Sequence, residues 1–245
     1  MPATPPKKIA LVTGANKGIG REIAAQLAAL EMTVLLGCRD ARRGEETAAE
    51  LRATGDVRSI TIDVTAPATI DAAAQEIEER FGRLDVLVNN AGITGPRGLC
   101  DADLAAVRTI FETNVYGVMA VTNVMLKVLL RSPQARIVNL SSSVGSLTRS
   151  GDPKSAYFQV GPSAYGPSKA ALNALTVQYS KELRKHNVLV NAADPGGAAT
   201  DMTRALGYHL NRSAAQAARI AVRLATLDSH GPTGGFFDEN GPVPW

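Results

Sequence analysis

The feature that most constrains this chain is one turn. The apolar run Lys8–Thr13 (KIALVT) leads into Thr13-Gly14-Ala15-Asn16-Lys17-Gly18-Ile19-Gly20, and Ile19, Ile23, Leu27 and Leu30 then recur on one face of a helix expected over 18–30. A short apolar run ended by glycine reads as a buried strand, so the segment is strand, glycine turn, helix. Glycines there permit a tight turn, close approach of a ligand to the backbone and close helix–strand packing. The helix start offers unpaired N–H groups and the positive end of its dipole, which suits phosphate oxygens. The turn is not a Walker loop, because no Gly-Lys-Ser/Thr occurs in it.

The same rhythm continues along the chain. Further strands are expected at 33–38, 58–64, 84–88, 136–140 and 188–193, with a short edge strand at 234–237. Helices are expected at 41–53, 67–81, 101–130, 162–186 and 213–227. Near-continuous apolar strands alternating with helices imply a parallel sheet covered on both faces. Right-handed crossovers favour a doubly wound α/β sheet, a Rossmann fold of about seven strands with helices on both faces. A chain of 245 residues suits one such domain, and no repeat or composition shift divides it. The domain is read as 1–245, with its core over about 8–237. The Gly/Pro/Ser-rich stretch 143–163 reads as an insertion, since apolar strands flank it.

Composition narrows the classes of function. At 45% apolar and 20% charged residues the chain is an ordinary globular one, and a net charge of +3 gives little reason to expect a nucleic-acid partner. Two cysteines, Cys38 and Cys100, exclude a disulfide framework and a four-cysteine metal site; no metal is expected, and both are expected to be buried. The longest apolar candidate, 115–126, is too short to span a bilayer, and the start does not look like a targeting signal. A cytoplasmic location away from membranes is therefore expected.

Three further clusters carry chemistry. Strand two ends in Cys38-Arg39-Asp40, where a dinucleotide site would place a group on the adenosine ribose. The Arg39 guanidinium suits a 2′-phosphate, whereas Asp40 could hold a ribose diol, so NADP(H) is favoured over NAD(H). Asn89-Asn90-Ala91-Gly92 closes strand four with small residues that let backbone approach a ligand. Tyr165 and Lys169 stand at i and i+4, on one face of a helix, where an ammonium would favour the phenolate. That spacing alone is common by chance; Tyr157 lacks such a partner, with Gly161 four residues on.

Taken together these motifs resemble the short-chain dehydrogenases/reductases, and within them the carbonyl-reductase-like members. The likeness rests on TGxxxGIG from Thr13, NNAG from Asn89 and Asn114 within Thr113-Asn114-Val115-Tyr116-Gly117. It continues through Asn139-Leu140-Ser141-Ser142-Ser143, Tyr165/Lys169 and Pro195-Gly196. The resemblance implies that Tyr165 exchanges a proton with a carbonyl oxygen, and that Lys169 holds the nicotinamide ribose and lowers the tyrosine pKa. It implies that Ser142, three before Gly145, orients the substrate, and that Asn114 supports a water linking Lys169 to solvent. For the cofactor it implies Gly14, Asn16, Lys17, Gly18, Ile19 and Gly20 at the pyrophosphate, and Asp63 and Val64 at the adenine. Asn90, Ala91, Gly92, Pro195, Gly196 and Thr200 would then lie toward the nicotinamide, with the small Gly197 leaving looser packing there. Tyr157, Phe158 and Tyr208 are candidates for the substrate wall. The implied activity is NADPH-dependent reduction of a neutral ketone, aldehyde or quinone. Alternatives are a 3-oxoacyl reductase, using Lys127 and Arg131 to receive an acidic carrier protein, and an NADP(H)-sensing protein without turnover. A homo-oligomer through the helices at 101–130 and 162–186 is possible, with the 143–163 insertion as an obstacle.

Overall fold

The computed structural model describes residues 7–245. Strand β1 (Ile9–Val12) lies at the centre, parallel to β2 (Thr33–Cys38) on one side and β4 (Val86–Asn89) on the other. Strand β3 (Val57–Thr61) extends the first half. Strands β5 (Arg136–Leu140), β6 (Leu189–Ala193) and β7 (Phe236–Asp238) extend the second, giving the order β3-β2-β1-β4-β5-β6-β7-β8. Every pairing is parallel except the last, where β8 (Gly241–Pro242) runs antiparallel to β7. Among the described residues the sheet thus has eight strands, one more than the seven or so expected, and β8, not the segment expected at 234–237, forms the outer edge. The eighth was missed because it is two residues long and contains a proline, which tolerates only an edge position.

The strands read as unbroken apolar runs because both faces are buried. Ala10, Val12, Val34, Leu36 and Val88 pack under α1 (Gly18–Ala29) and α9 (Ala214–Ala225), while Ile9, Leu11, Leu35, Leu87 and Ile137 pack on the opposite face. That second face is covered by α3 (Pro67–Phe81), α5 (Gly117–Leu129) and α7 (Tyr165–Leu183). Helix α2 (Ala41–Leu51) begins at Asp40, whose carboxylate caps it by accepting from Arg43 N at 3.0 Å. Helix α3 has proline at its start and stops at Gly82, whose φ of +73° makes a left-handed C-terminal cap.

Two expected elements differ in kind. The long helix at 101–130 starts later, as α4 (Leu104–Phe111), and passes through a π-helical turn at Glu112–Tyr116 before α5. The insertion is also partly ordered: Ser143–Gly145 forms a 3₁₀ turn and Leu147–Gly151 a short helix, α6. The end of the chain ties α6 to the sheet edge. Thr148 N and Oγ1 donate to Trp245 O at 3.0 and 2.6 Å, and the Trp245 ring stacks on Phe236 at 5.5 Å. Of the cysteines, Cys38 is buried as expected but Cys100 is exposed, because it lies in the turn before α4 rather than on a packed face. No helix among the described residues is long and apolar enough to cross a membrane.

Candidate active site

The chain reverses direction across the sheet between β1 and β4, and the loops leaving these strands open a crevice at their carboxyl ends. The glycine turn is locked to the β4 loop. Asn90 Nδ2 donates to Thr13 O (2.8 Å) and Gly14 O (3.0 Å), while Asn90 N and Ala91 N both donate to Thr13 Oγ1 (3.1 Å each). Gly14 and Gly18 have φ of +62° and +58°, and a Cβ on Gly14 would stand 2.9 Å from Ala91 Cα. A Cβ on Gly20 would strike Asn90 Nδ2 at 2.3 Å and Gly14 O at 2.6 Å. Lys17, the N-cap of α1, makes no side-chain cap, so the first-turn N–H groups are left for another acceptor. This cradle fits a pyrophosphate. Asn90, read as a cofactor contact, spends its side chain on building the cradle.

Farther along the crevice, Asn114 and Lys169 converge on Gly92. A Cβ there would stand 3.3 Å from Asn114 Oδ1 and 3.5 Å from Lys169 Nζ. Asn114 is fully buried in the π-helical turn. Its Oδ1 accepts from Ile93 N (2.8 Å), and its Nδ2 donates to Ile93 O (2.9 Å) and Ser168 Oγ (3.0 Å). The side chain thus clamps the β4 loop to α7. Lys169 Nζ donates to Leu140 O at 2.7 Å and lies 5.5 Å from the centroid of the Tyr165 ring.

The three serines Ser141-Ser142-Ser143 are placed differently. Buried Ser141 donates to Asn173 Oδ1 at 2.5 Å, and buried Ser143 donates to the Asp194 carboxylate. Ser142 is half-buried, and its Oγ receives only a long bond from Val144 N, at 3.4 Å. It is held between two anchored points. Leu140 O takes the lysine ammonium, and Gly145 lies so close to α7 that a Cβ would stand 2.7 Å from Lys169 C.

Electrostatics depart from the expected lowering of the tyrosine pKa. Burial pushes the Tyr165 phenol well above its ordinary value, and the negative charge of Asp194 raises it further. Burial pushes the Lys169 ammonium down to about 8. In the free protein Tyr165 is therefore firmly protonated, and Lys169 titrates within reach of ordinary assay conditions.

The adenine end is mixed. Arg39 is exposed, whereas Asp40 is drawn away as the cap of α2. Asp63 accepts from Thr65 N (2.9 Å) and Thr65 Oγ1 (2.7 Å), and these bonds hold its carboxyl below the usual range. The Val64 side chain is in the core, where a Cβ on Gly117 would meet its Cγ2 at 2.9 Å, so it does not reach outward to a ligand. Lys17 is exposed and pairs with Asp201 at 3.0 Å, at the start of α8 (Asp201–Ala205). Thr200 covers the glycine turn, its Cγ2 3.7 Å from where a Gly18 Cβ would be.

Three segments meet beside the crevice: 97–98, 162–163 and Tyr208. Arg97 bridges to Ser163, Gly98 N donates to Pro162 O at 2.7 Å, and the Arg97 guanidinium lies 5.4 Å from the Tyr208 ring. Tyr157 lies under Arg149 at 5.5 Å, and Phe158 is 48% exposed, free to meet a ligand. The space expected beside Gly197 is filled, since a Cβ there would stand 2.9 Å from Leu210 Cδ1. Sequence reading missed Asp194, Ser143, Arg149 and Arg97. The one available signal was an acid, Asp194, directly after the buried strand β6.

Comparison with known proteins shows the family. The family model for short chain dehydrogenases matches residues 8–211. A short-chain dehydrogenase/reductase of Saponaria officinalis is 33% identical, over 98% of this chain and 96% of its own. A 3-oxoacyl-(acyl-carrier-protein) reductase of Escherichia coli is 34% identical, over 81% and 77%. The NADPH-bound carbonyl reductase from chicken fatty liver superposes with a TM-score of 0.85 at 29% identity, covering 98% of this chain and 99% of that one. The protein belongs to the short-chain dehydrogenase family of oxidoreductases.

Proposed function

We propose that the protein reduces a neutral ketone, aldehyde or quinone to an alcohol with NADPH. The observation that carries this reading is the convergence of Lys169 Nζ on Gly92 and Leu140 O, beside the Tyr165 ring. Gly14, Gly18 and the first turn of α1 would hold the pyrophosphate, and Arg39 the 2′-phosphate. The bound dinucleotide supplies the hydride. Ser142 donates to the substrate carbonyl and orients it. Tyr165, held protonated by burial and by Asp194, gives its proton to the oxygen as charge builds there. Lys169, when charged, stabilises the phenolate left behind.

The test is a panel of ketones, aldehydes, quinones and 3-oxoacyl thioesters, run with NADPH and NADH in parallel. Turnover of neutral carbonyls with NADPH is expected; oxidation of neither cofactor by any member would remove the reading. The 3-oxoacyl alternative stays a second reading that the thioester arm of the panel decides: Lys127 and Arg131 share the one carboxylate of Glu78, each at 2.6 Å, which leaves a net positive charge on that face.

Two smaller predictions follow from the same geometry. Asp40 caps α2, so it does not compete for a ribose diol, and Arg39 alone discriminates the cofactors. Arg39→Ala is expected to lower kcat/KM for NADPH about tenfold, the loss of one charge-assisted bond, and to leave NADH use unchanged. Equal losses with both cofactors would show that Arg39 does not read the phosphate. The second concerns pH. The Lys169 pKa is lowered to about 8, so its charge is present below that pH and lost above it. The kcat/KM of reduction should therefore fall as pH rises through about 8, and Lys169→Arg, whose charge persists, should shift that limb upward. A profile without a limb in that region, or one unmoved by the substitution, refutes the assignment.

A further inference from the structure

Asp194 stands directly before Pro195-Gly196, 3% exposed, where β6 ends. Its Oδ1 accepts from Gly196 N at 2.9 Å, folding the chain back at a residue whose φ is +66°. Its Oδ2 accepts from Ser143 Oγ, and Ser143 adjoins Ser142. The same Ser143 Oγ accepts from Arg149 Nη1 at 2.6 Å. The Arg149 guanidinium reaches Asp238 on β7 at 3.3 Å and lies over the Tyr157 ring at 5.5 Å. One buried carboxylate thus touches both segments that flank the reacting position, and an arginine extends the link to a wall of the crevice. A buried carboxylate with two such partners, one of them tied on to an arginine, is expensive to place and specifies a single arrangement.

We propose that Asp194 is a positioning residue, which acts through Ser143 and Gly196 to hold the Ser142 loop in register with the Pro195–Gly196 segment. The inference rests on the carbonyl-reductase reading and adds a residue to it. With the joint intact, Ser142 and the segment facing the nicotinamide cannot shift independently. With it broken, each still folds but their mutual distance drifts, and reaction rates are steep in such distances. Arg149 supplies the compensating positive charge by way of the Ser143 hydroxyl. Without that hydroxyl, Asp194 Oδ2 and Arg149 Nη1 would face each other unbridged.

The test combines kinetics with a cofactor titration that needs no turnover. Ser143→Ala is expected to lower kcat about tenfold, the cost of freeing a hydrogen bond to a charged group, with the NADPH dissociation constant unchanged. Ser143→Thr, which keeps the hydroxyl, should restore kcat. Asp194→Ala should lower kcat by at least as much and also weaken NADPH binding about fivefold, because Gly196 N then loses its acceptor. Asp194→Asn, which keeps an acceptor for Gly196 N, should bind NADPH as the unchanged protein does. It carries the test if the alanine variant fails to fold. Lowered melting temperatures with kcat and NADPH affinity preserved would overturn the proposal, leaving Asp194 a structural residue. If the unchanged protein binds NADPH but reduces no carbonyl, the activity reading fails while the binding arm still decides. Equal NADPH affinities in Asp194→Ala and Ser143→Ala would then refute the joint.

Discussion

Tyr165→Phe is expected to lower kcat for carbonyl reduction by about 10³-fold while leaving NADPH affinity nearly unchanged, since general acid catalysis of this kind contributes 10²–10⁴-fold. The substitution deletes one oxygen. The ring remains, with Lys169 Nζ 5.5 Å from its centroid, so the packing at the start of α7 is kept. On the proposed mechanism, what disappears is the proton that the phenol would give to the carbonyl oxygen. Burial and Asp194 together keep that proton on Tyr165 in the free protein, which prepares the residue as a donor rather than as a base. A purified variant that binds NADPH and turns over ketones within tenfold of the unchanged protein would show that the proton comes from elsewhere. The same experiment separates an enzyme from a cofactor-sensing protein, because a sensor would have no turnover for the substitution to remove.

The fold was legible wherever a local pattern carried it. Strands such as Thr33–Cys38 are buried on both faces, so their runs are apolar without interruption, and the glycine turn after β1 needs positive φ at Gly14 and Gly18. The pattern misled where a polar residue served a tertiary partner. The strand expected at 84–88 begins only at Val86, because Asp85 is a corner that accepts from Ile9 N (2.8 Å) and Ser132 Oγ (2.6 Å). Asn114 was singled out by its motif, but its side-chain partners were not legible. Its side chain is turned to Ile93 and Ser168 in a π-helical turn, which hydrophobic periodicity does not reveal.

In the site, legibility followed sequence distance. Tyr165 and Lys169 are one helical turn apart and could be paired from their spacing. Lys17 and Asp201, or Ser143 and Asp194, come together only because the sheet order places β1, β5 and β6 ends on one side. The competition between Arg39 and Asp40 for the cofactor was also undecidable from adjacency. What adjacency could not show is that Asp40 caps α2 by accepting from Arg43 N, while Arg39 is exposed.

Gly145→Ala is expected to be the most damaging single-methyl substitution outside the tyrosine and the cofactor cradle, lowering kcat about 10²-fold, because a 1 Å misplacement far from the chemistry can cost that much. The added Cβ would lie 2.7 Å from Lys169 C, 2.8 Å from Lys169 Cβ and 2.9 Å from Ala170 N. Two of these are backbone atoms of α7, which is fixed through Asn173, Thr176 and Tyr179 and cannot yield locally. The 3₁₀ turn Ser143–Gly145 must therefore move, and Ser142, its N-cap, moves with it. Overpacking of this kind also destabilises by about 1–3 kcal/mol. The expected signature is a large fall in kcat with NADPH affinity retained, since the glycine cradle lies on the other side of the crevice. Gly151→Ala is the control: a Cβ there meets nothing within 4 Å, and alanine in α6 should leave both turnover and melting temperature at or above their starting values. If Gly145→Ala keeps full turnover, then close contact between the serine loop and α7 does not set the geometry of the reaction, and Ser142 is not the group that orients the carbonyl.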